Sequence, residues 1–328
     1  LGFPARRTQI YDRIVRGLLG EWPKPRGAAG AVLDEPDRKD LIEPKLELLE
    51  ALADRFFPHQ ALSYWEIAEF LKDPAGAKLA RKIAGPLAFK LHGRLLTGDE
   101  LDVHSEHLVI EELRSDGMLT ASGDSYLFLH LTFQEYLTAK AKAKQPWSEI
   151  AERIDRFAEL PEYHEMLIFL AGVLADPTAN RDPAPLIKRL ADRKHDDLFR
   201  HRLALAAHCL AEVPAELRKS GRLAKLVDRV TNDGFQLWWR HSKADRERCV
   251  EHISTALPAL GTVNGRIRWG LRFRLGDWRN LLSLRPIRLL DCLASLLVAK
   301  DMQMLSTAAN AVGRIGAPAA TPEILTGL

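Results

Sequence analysis

A histidine at the end of an apolar run, His130, has surroundings that suit chemistry on a bound ligand. Residues 126–129 favour a β-strand, and a helix is predicted to begin at Thr132. The amides at a helix N-terminus attract anions, and an imidazole two residues earlier can donate a hydrogen bond to the same anion. By local chemistry alone, a core histidine bonded to a backbone carbonyl is the more common arrangement. Both interpretations stay open at this point.

The elements that would position His130 follow from the side chains around it. Residues 126–131 have two faces that are apolar apart from the histidine, which predicts a strand buried on both sides. These faces consist of Leu127, Leu129 and Leu131 on one side, and Tyr126, Phe128 and His130 on the other. Thr132 followed three residues later by Glu135 predicts a capping box, in which each side chain accepts a hydrogen bond from the other residue's amide.

A compact helical unit is predicted upstream of this strand. The helical patterns cover residues 44–57, 63–73, 77–96 and 105–116. Ser63 is the expected N-cap of the second helix, Gly85-Pro86 interrupts the third, and Gly117 ends the fourth. A hairpin with its turn at 122–124 follows over residues 118–130. Helices followed by a hairpin are typical of a winged-helix domain.

The rest of the chain is predicted to be helical. Residues 5–22 form an amphipathic helix, and 23–36 read as a loop. After residue 148 the helical segments recur in pairs of about forty residues, the length of HEAT or armadillo repeats. These segments are 163–176, 184–194, 198–212, 215–232, 245–259, 286–299 and 302–313. The expected fold is therefore mainly α: a winged-helix domain with a small β-hairpin, followed by a HEAT/armadillo-like α-solenoid.

Two segments resemble motifs of one protein family. Residues 128–139 resemble the F-x-H-x-[ST]-F-Q-E-[FY]-x-x-A signature of NACHT proteins, STAND-class NTPases that include NOD-like receptors and many bacterial antiviral sensors. The matching residues are Phe128, His130, Thr132, Phe133, Gln134, Glu135, Tyr136, Leu137 and Ala139. Residues 4–22 resemble the segment that ends the helical domain of the family. Its matching residues are Pro4, Arg6 or Arg7, Tyr11, Val15, Leu18, Leu19 and Trp22.

The resemblance implies a domain organisation and a role for His130. Residues 1–44 would finish the NACHT-associated helical domain and its linker, 45–147 would form the winged helix, and 148–328 would begin a helical-repeat sensor. In the family, the signature histidine contacts the β-phosphate of ADP in the resting state, and only His130 matches it. ATP or ADP with Mg²⁺ is implied for the intact protein, with none bound by this fragment alone.

The resemblance also implies partners and a setting. The partners would be the upstream nucleotide-binding domain of the same chain, a protein or nucleic-acid trigger on the repeats, and further copies of the protein on activation. A cytoplasmic role in prokaryotic antiphage defence follows from the family alone. The sequence lacks the G-x-x-x-x-G-K-[ST] loop that cradles phosphates and an acidic strand end for magnesium. We therefore expect the nucleotide core to precede Leu1, and we expect no catalytic residue and no ATP hydrolysis here.

A basic and aromatic segment near the C-terminus is a second candidate for ligand binding. It contains Arg266, Arg268, Trp269, Arg272, Arg274, Trp278 and Arg279. Arginines between aromatic rings can contact phosphates and stack on bases. The structural alternative is that these arginines pair with acids on neighbouring repeats and cover apolar surface with their stems. A non-catalytic scaffold that binds protein or nucleic acid is therefore the alternative function, and a Walker A loop upstream of Leu1 would argue against it.

The remaining patterns favour structural roles. Three cysteines without metal-site spacing are expected to be buried thiols in a reducing cytosol, and no apolar run reaches membrane-spanning length. A metal site is possible in principle around His92, His104 and His107, but no cysteine is near. The acids there, Asp99, Asp102 and Glu106, are expected to be solvated loop residues and not ligands. The segment 105–116 is the predicted third helix of the winged-helix domain. It carries four acids and one arginine, so we expect its negative charge to repel DNA. Its charged residues are Glu106, Glu111, Glu112, Arg114 and Asp116.

Overall fold

The computed structural model describes residues 6–22, 35–92, 98–179, 181–197, 199–219 and 221–240, together with residue 252. Within these residues the chain is mainly α-helical, as predicted, and has one small antiparallel sheet. The chain divides into two compact units, residues 1–186 and residues 187–328.

The first unit begins with the amphipathic helix α1, which spans Arg7–Arg16 and continues in a wider turn over Gly17–Glu21. Gly20 lies inside this turn and has a non-helical backbone, with a φ of 152°. The elements that follow are α2 (Glu35–Asp40), α3 (Ile42–Phe56), β1 (Ala61–Ser63), α4 (Tyr64–Lys72), α5 (Pro74–His92), α6 (Gly98–Ser115), β2 (Leu119–Ser122), β3 (Ser125–Phe128), α7 (Leu131–Ala143), α8 (Trp147–Phe157) and α9 (His164–Leu174). Helices α1, α3, α4 and α9 confirm four of the predicted segments.

The sheet has the strand order β1–β3–β2, and both of its pairs are antiparallel. Strands β2 and β3 form the predicted hairpin, in which Ser122 pairs with Ser125 around a two-residue loop. Gly123 opens that loop with a φ of 61°, a backbone conformation that glycine adopts readily. Strand β1 was not predicted from the sequence, because its three residues are too few to show an alternating pattern.

The predicted burial of this strand on both faces is wrong. Strand β3 ends at Phe128, which is its one buried residue, and the preceding three residues are only partly covered. Leu129 lies beyond the strand and is 50% exposed. A sheet of three short strands leaves much of its surface in solvent. The apolar residues on the two faces of β3 are therefore not all covered by other elements.

Two helices depart from prediction. α5 runs through Pro86 without a break, although proline removes one backbone hydrogen bond from a helix. It packs against α3, α4 and α6 and buries Ile83 and Leu87, and we infer that this burial offsets the lost bond. α6 begins at Gly98 and not near Ser105, which is a buried residue inside the helix. The sequence pattern also missed α8 entirely.

The boundary between the units falls within α10 (Ala184–Leu190), and the second unit then contains α11 (His201–Glu212), α12 (Ala215–Arg218) and α13 (Gly221–Arg240). α13 contacts both α11 and α12. The segment predicted as one helix over 215–232 is two helices, and Gly221 starts the second with a φ of 57°. The helices predicted at 245–259, 286–299 and 302–313 lie outside the described residues, so the solenoid stays a prediction.

The start of α11 is fixed by a buried carboxylate. Asp196 accepts hydrogen bonds from the amides of Arg202 and Leu203 at 3.0 and 3.1 Å, which satisfies two amides in the first turn of the helix. Burial raises the pKa of Asp196, against the lowering effect of these bonds and of Arg200. Arg200 itself has a φ of 62°. This arrangement explains why the helix begins three residues after the predicted start at 198.

A buried ion cluster joins α3 to the end of α6. Lys45 is fully buried, and its Nζ lies 2.5 Å from Glu112 and 2.7 Å from Asp116. A buried charge is tolerated only when it is paired, so each of these residues depends on the others. Both acids had been assigned to a negative outer surface of this helix. That assignment is wrong for Glu112 and Asp116, and the argument against DNA binding loses half of its acids.

The cluster predicts a large loss of stability when its cation is removed. Lys45→Ala leaves two carboxylates buried without a partner, and we expect the free energy of unfolding of the first unit to fall by about 3–5 kcal/mol. Denaturant titration measures this change. The control is Lys82→Ala, because Lys82 pairs with Glu47 at 3.3 Å on the surface, and its loss should cost less than about 1 kcal/mol. Similar small losses in both variants would contradict the role of the cluster.

Candidate functional site

His130 is the residue that caps the N-terminus of α7. Its backbone is extended, with φ of −149° and ψ of 144°, and its Nδ1 accepts a hydrogen bond from the amide of Thr132 at 3.2 Å. Its carbonyl accepts the amide of Phe133 at 2.9 Å. The predicted capping box of Thr132 and Glu135 is therefore wrong. The helix begins one residue earlier than the pattern indicated, which gives the cap position to the histidine.

The hydrogen bonds of His130 assign the position of its proton. Because Nδ1 accepts the Thr132 amide, it carries no hydrogen in the neutral ring, and the ring proton lies on Nε2. The residue is exposed, and no hydrogen bond joins Nε2 to any residue in the described part of the chain. Leu129 and Leu131 on either side are 50% and 38% exposed. The site therefore presents one N–H donor to solvent between two exposed leucines.

The hydroxyl of Thr132 lies between His130 and a tyrosine of another helix. Oγ1 of Thr132 lies 2.8 Å from Nδ1 of His130, and it accepts a hydrogen bond from the hydroxyl of Tyr11 at 2.8 Å. Tyr11 belongs to α1, which is 121 residues away in sequence. Three residues from the two matched segments of the sequence thus meet in one hydrogen-bonded chain.

The same face of α1 is anchored to α7 by a carboxylate. Asp12 accepts hydrogen bonds from Tyr136 at 2.7 Å and Lys140 at 3.0 Å, and from Arg16 within its own helix at 3.1 Å. Burial alone would raise the pKa of Asp12, but the charge of Lys140 and the hydrogen bond from Tyr136 outweigh it and lower the pKa. Burial also raises the pKa of Tyr136 well above its ordinary value, so the phenol keeps its proton. The polar anchor is therefore satisfied at neutral pH.

An aromatic cluster surrounds this anchor and continues to α9. The ring of Tyr11 lies 5.5 Å from Phe133 and 5.0 Å from Phe169 between centroids, both in edge-to-face contacts. Such pairs stabilise by about 0.5–1.5 kcal/mol beyond the area they bury. On α9, Gly172 lets α1 approach closely, since a Cβ there would lie 2.0 Å from Oγ1 of Thr8. The position of the Tyr11 ring therefore depends on the docking of α1 against both α7 and α9.

A buried carboxyl lies one turn further along α7. Glu135 is 5% exposed, and its Oε2 has no hydrogen-bond partner among the described residues. Burial, and then the carboxylate of Glu165, raise the pKa of Glu135 to about 7 against the opposing charge of Arg7. Arg7 itself pairs with Glu165 at 2.6 Å. This glutamate is thus buried, close enough to Arg7 on α1 and Glu165 on α9 to feel their charges, and it does not reach back to the helix N-terminus as predicted.

A cleft of about 700 Å³ lies beside the Asp12 anchor, and His130 is not part of its wall. Its lining includes five cationic side chains, Arg13, Arg16, Lys140, Lys144 and Arg181. Most of these are occupied: Lys144 pairs with Glu50 at 2.5 Å, and Arg181 donates to backbone carbonyls of residues 145 and 144. The cleft and the exposed imidazole are therefore separate features.

The other candidate residues are placed as follows. The segment with Arg266, Arg268, Trp269, Arg272, Arg274, Trp278 and Arg279 lies outside the described residues, and its role stays a prediction. Cys209 is a buried cysteine inside α11. Within the described ranges, no group of three or more potential ligands is arranged to hold a metal ion, and no helix there is long and apolar enough to cross a bilayer.

No protein-family model, curated protein or solved structure matches this chain. The evidence for its function is therefore the sequence signature together with the geometry around His130.

Glu135 predicts a pH dependence of stability. An unfolded glutamate titrates near 4.5, so between about pH 4.5 and about pH 7 the folded chain holds a proton that the unfolded chain has lost. The contribution of this group to stability therefore falls as the pH rises through that window. Glu135→Gln mimics the protonated form. It should raise the free energy of unfolding by up to about 3 kcal/mol at pH about 8, and by less than about 1 kcal/mol at pH about 5.

Urea titration at both pH values measures the difference between the variant and the unmodified chain. Glu152→Gln, at an exposed position on α8, is the matched control for the loss of one negative charge. A stability difference for Glu135→Gln that is the same at both pH values would contradict the buried protonated carboxyl.

Proposed function

We propose that this chain is the regulatory and sensing portion of a NACHT-type STAND NTPase, in which His130 helps to hold ADP in the resting state. The observation that carries the proposal is the exposed imidazole of His130, whose Nε2–H has no partner among the described residues. The family and the ligand are proposed from the resemblance over 128–139. The exposed Nε2–H of His130 supports the proposal because it could donate to a phosphate.

The arrangement of the first unit supports a winged-helix interpretation of residues 45–147. Helix α3, strand β1, three further helices and the β2–β3 hairpin follow one another, and β1 pairs with β3 at the edge of the sheet. Helix α7 then follows the hairpin directly, so its N-cap lies at the end of the wing. Residues 148–328 would belong to the helical-repeat sensor, and α8 to α13 are its described part.

The donors around His130 fit one phosphate contact and not a phosphate cradle. The amides of Thr132 and Phe133 are already used by Nδ1 and by the carbonyl of His130. Of these three donors, Nε2 is the one left to donate, and most of the binding energy for a nucleotide would come from the upstream domain. A hydrogen bond to a charged group contributes about 1.5–3 kcal/mol, which is enough to bias a closed state without trapping it.

Regulation would follow from the difference between two states. In the closed state, His130 contacts the nucleotide phosphate and keeps the winged helix against the nucleotide core. A protein or nucleic-acid trigger on the repeats opens this state only if it binds the open form more tightly. ATP with Mg²⁺ would then replace ADP and copies of the intact protein would associate, in a cytoplasmic antiphage response as in the family.

The proposal predicts that ADP retention depends on the imidazole. In the intact protein with its upstream domain, His130→Ala should release ADP about 10- to 100-fold faster, the equivalent of one hydrogen bond to a charged group. The measurement is the rate at which bound fluorescent ADP exchanges with excess unlabelled ADP. Because His130 also caps α7, a second variant, His130→Asn, keeps a side chain that caps helices well.

Similar loss of ADP in both variants supports a contact through the imidazole. Retention at the wild-type level in His130→Asn, with loss in His130→Ala alone, would show that the residue acts only as a helix cap. Unchanged retention in both variants would remove His130 from nucleotide binding.

A further inference from the structure

The orientation of the His130 ring is set by a chain of two hydrogen bonds that begins on another helix. Tyr11 on α1 donates to Oγ1 of Thr132 at 2.8 Å, and Oγ1 of Thr132 lies 2.8 Å from Nδ1 of His130. The amide of Thr132 also reaches Nδ1, at 3.2 Å. A ring with two partners on one nitrogen has its other nitrogen fixed on the opposite side, where the proposed phosphate contact would form.

The direction of each bond follows from the proton count. Nδ1 accepts the Thr132 amide, so it has no proton to give and also accepts the Thr132 hydroxyl. The Thr132 hydroxyl donates its one proton to Nδ1, so its oxygen can only accept the hydrogen bond from Tyr11. Hydrogen bonds in such a series strengthen one another, because each acceptor becomes a better donor. The phenol of Tyr11 is therefore the origin of the series, and the ring of His130 is its end.

The position of Tyr11 is set by the packing of α1 on α7 and α9, and not by the hydrogen bond of its own hydroxyl. Its ring packs edge-to-face against Phe133 and Phe169, and the neighbouring Asp12 binds Tyr136 and Lys140 on α7. The hydroxyl cannot leave Thr132 while α1 stays in place. When α1 separates from α7, the oxygen of Thr132 loses the donor that holds it in place. Its own hydrogen bond to Nδ1 then loses the strengthening that the bond from Tyr11 gives it.

We propose that Tyr11 is a positioning residue for His130, so that the docking of α1 on α7 regulates the availability of the Nε2 donor. This inference rests on the proposed function, since it concerns regulation of the same contact. Undocking of α1 would then weaken the hold on the nucleotide without any change in the nucleotide pocket itself. In this proposal, the two segments that resemble family motifs, 4–22 and 128–139, act together to orient the ring of His130.

The positioning is tested first without nucleotide. The full chain is labelled with ¹⁵N-histidine, and the ring nitrogen shifts of His130, assigned by their loss in His130→Asn, report which nitrogen carries the proton at pH about 8.5, where histidine is ordinarily neutral. Tyr11→Phe removes the hydroxyl and keeps the aromatic packing. The control is Tyr126→Phe, because no hydrogen bond joins the hydroxyl of Tyr126 to a described residue.

We expect Nδ1 of the unmodified chain to show the shift of an unprotonated, hydrogen-bonded nitrogen. Tyr11→Phe should move both ring shifts toward those of a ring that exchanges between its two neutral forms, while Tyr126→Phe leaves them in place. Thr132→Val, which removes the middle hydroxyl, should change the shifts at least as much. Shifts of His130 that are the same in Tyr11→Phe and the unmodified chain would overturn the inference, whatever the behaviour of nucleotide.

A second measurement separates this inference from the proposed function. In the intact protein, Tyr11→Phe should release bound ADP several-fold faster, by less than His130→Ala, because the ring stays present and loses only its orientation. Altered ring shifts with unchanged ADP release in both variants would overturn the proposed function and leave Tyr11 as a residue that orients the ring only. Faster release in His130→Ala with wild-type release in Tyr11→Phe would overturn the regulation by α1.

Discussion

The hydroxyl of Thr132 is the point on which the candidate site depends, because it holds the phenol of Tyr11 and the imidazole of His130 at the same time. One oxygen thus links a helix near the start of the chain to the cap of α7. The Asp12 anchor and the aromatic rings around it keep the two helices at the distance that this double contact requires. In the account proposed here, the orientation of the exposed imidazole follows from that packing.

Several local features of the fold were predictable because they depend on neighbouring residues. The apolar stripe of α3, the Ser63 cap of α4, the stop at Gly117 and the tight turn at Gly123 are set by short patterns. The structure even strengthens one of them, since Ser63 and Glu66 form a complete capping box with bonds of 2.8 and 3.2 Å. In such segments the local preference and the tertiary packing agree.

The errors arose where distant residues decide the outcome. Glu135 matched a capping box by spacing, but the tertiary packing of α7 buries it, and His130 takes the cap. Lys45 and Glu112 are 67 positions apart, so no local pattern could show that this acid of α6 faces the core. Gly85-Pro86 was expected to interrupt a helix, but α5 continues through it, and Ala84 and Leu87 on either side of the pair are buried. The exposure of His130 likewise depends on where the sheet ends.

The candidate histidine could be picked out from the sequence, but the hydrogen bonds around it could not. The resemblance over 128–139 indicated the histidine. Tyr11 appeared in the sequence as an apolar helix position and as one match to the family segment over 4–22, with nothing to connect it to His130. The most direct test of the account is an experimental structure of the intact protein with ADP bound. We predict Nε2 of His130 within about 2.7–3.2 Å of a β-phosphate oxygen, with Tyr11 still bonded to Thr132. A His130 ring that lies more than about 4 Å from every phosphate oxygen would contradict the account.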